Sequence, residues 1–174
     1  EAFFQANRFL LPSLVTAVME AVPAGSVFDL YAGVGLFAVP LAASGNHTVT
    51  AVEGDPVSGR DLRHNAAPFS EKLRVVRSSV EAFLARGGRT APDTVIVDPP
   101  RTGMSREAAD GIVALRPPRI VYVSCDPATM ARDARRLLDA GYELRSLKGF
   151  DLFPNTPHVE TLGVFTRREE QASA

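Results

Sequence analysis

The chain has 174 residues, 45% of them hydrophobic and 22% charged, which suits one globular domain with a sizeable core. Nineteen Lys and Arg against 20 Asp and Glu give a formal charge of −1, so no overall positive field draws in a polyanion and any nucleic acid contact has to be local or assisted. One cysteine excludes an internal disulfide, and the lack of a charged-then-apolar leader or of a run of about 18 apolar residues predicts a soluble, cytoplasmic protein with no membrane partner.

The first residues, EAFFQANRF, include no Met and read as a cut inside a longer polypeptide. Apolar residues then recur at helical spacing over 7–22 and stop at Pro23, predicting a leading helix. Five short runs rich in Val and Ile follow: SVFDLY, HTVTAVE, LRVVRS, DTVIVD and RIVYVS. Helical patterns separate them, which is the βαβ signature of a parallel sheet. TVIV and IVYV are continuously apolar rather than alternating, so these strands are expected near the centre of the sheet with helices on both faces. A last helix over 127–140 gives way to two strand-like runs, YELRSLKGFDLF and HVETLGVFTRR, whose simplest arrangement is a closing antiparallel hairpin.

In an open α/β sheet ligands bind beyond the carboxyl ends of the strands, so the residues just after each run carry the chemistry. In DLYAGVGLF, Gly33 and Gly35 permit a tight turn and close ligand approach before a helix. Glu53 stands twenty positions after Gly33, where a carboxylate can accept from both ribose hydroxyls of a nucleoside cofactor. Ala38 occupies the third glycine position of G-x-G-x-x-G, a tolerated replacement that leaves a dinucleotide open at this point. Asp98 closes a strand ahead of Pro99 and Pro100, which stiffen the turn, and Gly103 lets the chain fold back. Cys125 sits between a strand and a helix whose dipole favours a thiolate, while Asp126 beside it disfavours one. Glu160 begins the closing strand, where a carboxylate can serve as a base.

Taken together, FFQANR, DLYAGVGLF, VEGD, DPPRTG, SCDPATMARD and DLFPNTPHVETL resemble the catalytic domain of S-adenosylmethionine-dependent RNA uracil-5-methyltransferases over residues 3–165. The cysteine-centred segment and the F-P-x-T-x-H-V-E segment stand in the family's order and spacing. The resemblance implies a Rossmann-like class I methyltransferase fold, a seven-stranded and mostly parallel sheet with an antiparallel last strand and helices on both faces. Residues 1–174 would then be a single catalytic domain, the carboxyl-terminal part of a protein whose RNA-binding amino-terminal region is absent here. The resemblance also implies S-adenosylmethionine as methyl donor, with S-adenosylhomocysteine as product, and RNA as partner.

Residue by residue, Gln5 resembles the family's glutamine near cofactor and target base, Tyr31 the aromatic of the glycine loop, Glu53 the ribose carboxylate and Asp98 the aspartate beside the methyl donor. Leu36 and Ser79 stand where some relatives place amide side chains on the cofactor. Uracil carbon 5 is a poor nucleophile, so thiolate attack at carbon 6 is needed to make an enolate that accepts the methyl group. Cys125 corresponds to that nucleophile and Glu160 to the base that removes the carbon 5 proton. The uridine has to be single-stranded or flipped, with Phe4 and Phe153 as stacking candidates. No metal is expected, and one cysteine cannot hold the iron–sulfur cluster that many members carry. Two other readings remain open from the residues alone: a methyltransferase-like binding module without turnover, and a methyltransferase for another substrate such as cytosine.

Overall fold

The computed structural model describes residues 10–87, 90–151 and 159–168. Seven strands form one sheet: β1 Gly25–Leu30, β2 His47–Glu53, β3 Leu73–Arg77, β4 Thr94–Val97, β5 Arg119–Ser124, β6 Tyr142–Phe150 and β7 Glu160–Arg167. The helices are α1 Leu11–Ala21, α2 Ala38–Ala43, α3 Pro56–Ala66, α4 Val80–Ala85, α5 Arg106–Leu115 and α6 Pro127–Asp139. Strand order is β3-β2-β1-β4-β5-β7-β6. The first five strands pair in parallel, and β7 runs antiparallel to both β5 and β6.

Helix starts follow local chemistry. Pro12 stands in the first turn of α1, where its missing N–H costs nothing. The Asp55 side chain caps α3 by accepting from the Val57 and Ser58 amides, Ser105 caps α5 and Asp126 caps α6. No helix among the described residues is long and apolar enough to cross a membrane.

The core lies in two layers, one on each face of the sheet. On one face Leu14, Val18, Phe37, Leu41 and Leu62 pack against Val27, Ile96, Val121 and Val123. On the other Phe83, Met104, Ile112 and Leu137 pack against Val52, Val95, Val97, Ile120 and Tyr122. Neighbouring residues of β4 and β5 thus enter opposite layers, which is why both strands are apolar at every central position. They occupy the middle of the sheet, as expected.

Winding reverses at β1, because β2 and β3 extend the sheet to one side while β4 and β5 extend it to the other. Ligand crevices form at such a reversal, beyond the carboxyl ends of β1 and β4. The turn leaving β1 holds three residues at positive φ, Tyr31 at 63°, Gly33 at 55° and Gly35 at 96°. A Cβ on Gly35 would stand 2.8 Å from Leu62 Cδ1 and 2.9 Å from Val39 Cγ2, so this position is needed for close packing of the turn on α3. Gly45, at φ 80°, has nothing within 4 Å of such a Cβ. Gly45→Ala should therefore cost only the left-handed penalty, about 1 kcal/mol, and Gly35→Ala roughly 2–4 kcal/mol once overpacking is added. Urea unfolding of both variants measures the difference, and equal losses would contradict the packing role of Gly35.

Candidate active site

The carboxyl edge of the sheet opens into a cavity of about 450 Å³. Tyr31, Gly33, Leu36 and Phe37 line it from the turn after β1, and Asp98, Pro99, Pro100 and Arg101 from the turn after β4. Cys125 closes it from the end of β5 and Glu160 from the start of β7. Leu11 of α1 and Ser58 of α3 complete the wall, and neither had a signal in the sequence beyond its helix.

Register explains how residues 35 positions apart in the chain meet. Ser124 pairs with Thr161 across the antiparallel β5–β7 ladder, so the next step along each strand reaches Cys125 and Glu160. The Thr161 hydroxyl donates to the Ser124 carbonyl at 3.1 Å, and the Asp126 amide donates to Ser124 Oγ at 3.1 Å. Cys125 is thereby held between two fixed backbone positions.

Asp126, beside the cysteine, is the cap of the following helix. Its carboxylate accepts from the Thr129 amide at 2.8 Å as the cap of α6. The thiol is raised above its ordinary range by burial first, then by the charges of Glu160 and Asp98, while the Arg101 guanidinium opposes them as hydrogen-bond donor and as cation. Burial together with the charges of Glu160 and Asp29 also raises the Asp98 carboxyl well above the usual range.

The remaining cofactor candidates divide. Tyr31, Gly33, Leu36 and Asp98 face the cavity. Gly35 lies behind it against α3. Glu53 is not part of the wall; its carboxylate accepts from the Gly33 amide at 2.8 Å and the Asp55 amide at 2.6 Å, tying the glycine turn to the end of β2. Ser79 caps α4, accepting from the Ala82 amide at 3.1 Å, away from the cavity. Gln5, Phe4 and Phe153 lie outside the described residues. No group of His, Cys, Asp and Glu among the described residues could hold a metal ion.

A carboxylate that sequence reading left out of the site stands directly beneath the glycine turn. Asp29 is fully buried and neither oxygen makes a hydrogen bond of good geometry. Burial pushes its carboxyl up to about 7, with the Ala38 amide opposing and the Glu53 charge adding.

The comparisons with known proteins bear on fold and family. The fold is shared with TrmN of Thermus thermophilus, which superposes with a TM-score of 0.67 at 20% identity, covering 90% of this chain and 48% of that one. The family profile described as tRNA (Uracil-5-)-methyltransferase matches residues 63–169, and the chain belongs to that family. The tRNA (uracil-54, C5)-methyltransferase of Pyrococcus abyssi, solved with S-adenosyl-L-homocysteine, superposes with a TM-score of 0.84 at 32% identity over 95% of this chain and 40% of that one. An "Uncharacterized RNA methyltransferase" of Streptomyces avermitilis is 40% identical over 167 residues, 93% of this chain and 38% of the relative. The 23S rRNA (uracil(1939)-C(5))-methyltransferase RlmD of Klebsiella pneumoniae is 37% identical over 172 residues, 95% of this chain and 39% of the relative. The chain therefore spans about two fifths of the length of these relatives.

The state of Asp29 has a measurable consequence. Between pH 4 and 7 the unfolded chain sheds a proton that the folded chain keeps, so wild-type stability falls across that window through this group and levels off above it. Asp29→Asn lacks this component. Its stability relative to wild type should rise from pH 4 to 7 by at most about 4 kcal/mol, because each tenfold change in proton affinity is worth about 1.36 kcal/mol. Urea unfolding at several pH values checks this, and a difference independent of pH would show that Asp29 ionises normally.

Proposed function

We propose that this chain is the catalytic domain of an enzyme that transfers a methyl group from S-adenosylmethionine to carbon 5 of a uridine in transfer or ribosomal RNA. The observation that carries the reading is the meeting of Cys125, Glu160 and Asp98 with the glycine turn on one cavity of about 450 Å³. That volume is in the range of small-molecule sites. The wall also suits the donor: Leu36 and Phe37 offer apolar contact, and the Asp98 carboxylate suits a cation. S-adenosylmethionine bound there supplies an electrophilic methyl group on a positive sulfonium and leaves as neutral S-adenosylhomocysteine.

The chain's own residues divide the work. Tyr31, Gly33 and Leu36 line the pocket, Gly35 packs its turn on α3, Glu53 sets the turn and offers its remaining lone pairs to ribose hydroxyls, and Gln5 adds a cofactor contact, while Ser79 serves α4 as its cap. The Cys125 thiolate adds to carbon 6, and its electron pair makes carbon 5 an enolate carbon that takes the methyl group. Glu160 then removes the carbon 5 proton, the carbon 5–carbon 6 double bond re-forms, and the carbon–sulfur bond breaks to return the thiolate. Cys125, Glu160 and Asp98 line a cavity, so the base has to be single-stranded or flipped to reach them. A formal charge of −1 leaves most phosphate contact to other parts of a longer protein, so RNA binding by this chain should be weak and salt-sensitive. The cytoplasm is the compartment this reading expects.

RNA carrying 5-fluorouridine tests it, because fluorine cannot leave carbon 5 as a proton and the adduct is trapped. Mass spectrometry should show a protein–RNA adduct for wild type with S-adenosylmethionine and none for Cys125→Ala. With ordinary RNA, Glu160→Gln should accumulate the adduct and lose about 10²–10⁴-fold in turnover. Lack of an adduct with both this chain and a longer protein containing it would overturn the covalent route, and normal turnover by Glu160→Gln would remove Glu160 as the base.

A further inference from the structure

Adduct chemistry accounts for Cys125 but leaves the end of its motif, Thr129-x-x-Arg132-Asp133, without a task. The structure places these three side chains on one face of the first turns of α6, at i, i+3 and i+4. All three grip the turn that leaves β4. The Thr129 hydroxyl donates to the Arg101 carbonyl at 3.0 Å. Arg132 Nη2 donates to the Thr102 carbonyl at 2.9 Å, and the Met104 amide donates to Asp133 Oδ2 at 2.8 Å. Gly103, at φ 76°, lies so near that a Cβ there would collide with Thr129, Arg132 and Asp133. Asp133 is fully buried and is itself fixed, accepting from the Tyr122 hydroxyl at 2.7 Å and from Arg132 Nη2 at 2.8 Å.

These ties are more than α6 needs for its own stability. The helix is already capped by Asp126 and seated in the core through Met130 and Leu137. What the ties determine is the position of one exposed side chain. Arg101 rides on the tied segment, its backbone carbonyl held by Thr129, and lines the same cavity as Cys125, on whose thiol its guanidinium acts as donor and cation. Cys125 immediately precedes the cap of the same helix. Thiol and guanidinium are thus both referenced to α6, one through the chain and one through the grip.

We propose that Thr129, Arg132 and Asp133 are positioning residues, a clamp that holds Arg101 beside Cys125 on the cavity wall and so sets how readily that thiol ionises. The inference rests on the reading of Cys125 as a nucleophile, and it concerns the step before RNA arrives. Arg101 is the cation that opposes Glu160 and Asp98 at the thiol. Its side chain can do so only if the residues after Pro100 keep one conformation, which Pro99 and Pro100 stiffen from one side and the clamp fixes from the other.

Cys125 is the only cysteine in the 174-residue chain, so the pH dependence of iodoacetamide alkylation reads this thiol with no RNA or cofactor present. Arg101→Ala should move the alkylation midpoint to higher pH and slow reaction at pH 7 by several-fold to about tenfold, since a midpoint one pH unit higher leaves about a tenth of the thiolate. Thr129→Val and Arg132→Ala should move it in the same direction, and Thr129→Ser should restore the wild-type profile. Adding either clamp change to Arg101→Ala should move it no further, because both act through one guanidinium. Clamp variants that melt at lower temperature yet keep the wild-type profile, or effects that add to that of Arg101→Ala, would overturn the proposal. Thr129→Val is nearly isosteric at a partly exposed site, which keeps the test available if Arg132→Ala fails to fold. An unchanged profile leaves the 5-fluorouridine adduct untouched, and a missing adduct leaves the profile readable, so the two readings fail separately.

Discussion

β7 enters the sheet between β5 and β6 against the direction of every other strand, and the cavity's chemistry depends on that reversal. In a parallel strand the residue at the carboxyl edge is the last one, and its neighbours at that edge are other last residues. Reversing β7 brings its first residue, Glu160, to the edge beside the end of β5. Its carboxylate is thereby placed by the ladder that pairs β7 with β5 and β6. Rigid elements hold a side chain more closely than loops do, and the β5–β7 pair gives Cys125 and Glu160 a common frame.

The cost of that frame is electrostatic. Asp98 and Glu160 line one cavity and the buried Asp29 acts on Asp98, and Asp29 and Asp98 are raised because burial and neighbouring charges disfavour the ionised form. Cys125 stands in the same field and is raised with them. The turn after β1 adds backbone cost, with Tyr31 in the left-handed region where a side chain is strained. Such strain persists only where surroundings over-determine it. Here the Glu53 carboxylate pins the Gly33 amide, and Asn65 Nδ2 donates to the Val34 carbonyl at 2.9 Å.

Much of this was legible in the residues. Continuous apolar runs marked β4 and β5 as doubly covered, because each face of a central strand must meet its own layer of helices. The twenty-residue interval between Gly33 and Glu53 indicated that the two act together, although the interval could not show that the carboxylate bonds the turn itself. Strand order was not legible, since a hairpin pattern over 142–168 fits β6 or β7 beside β5 equally well. The roles of Gly35 and Ser79 were ambiguous for a physical reason: a glycine that admits a ligand and one that admits a helix look alike, and so do a cofactor hydroxyl and a helix cap. Ser58 and Leu11 reach the cavity only because α3 and α1 pack where they do.

Contacts between the Pro-Pro turn and α6 were the least legible feature, because they join residues 28 to 30 apart through backbone atoms that any sequence possesses. Only one end of each contact carries a chemical signature. The choice of side chains at that end is nevertheless specific. Thr129 and Arg132 are donors aimed at carbonyls, whereas Asp133 is an acceptor aimed at an amide, so the turn is gripped through both kinds of backbone group. Asp133 can be fully buried because Tyr122, Arg132 and the Met104 amide satisfy it, and removing any one leaves a buried charge with fewer donors. The same carboxylate therefore joins the β5–α6 core to the turn after β4, and a disturbance of either side is felt by the other.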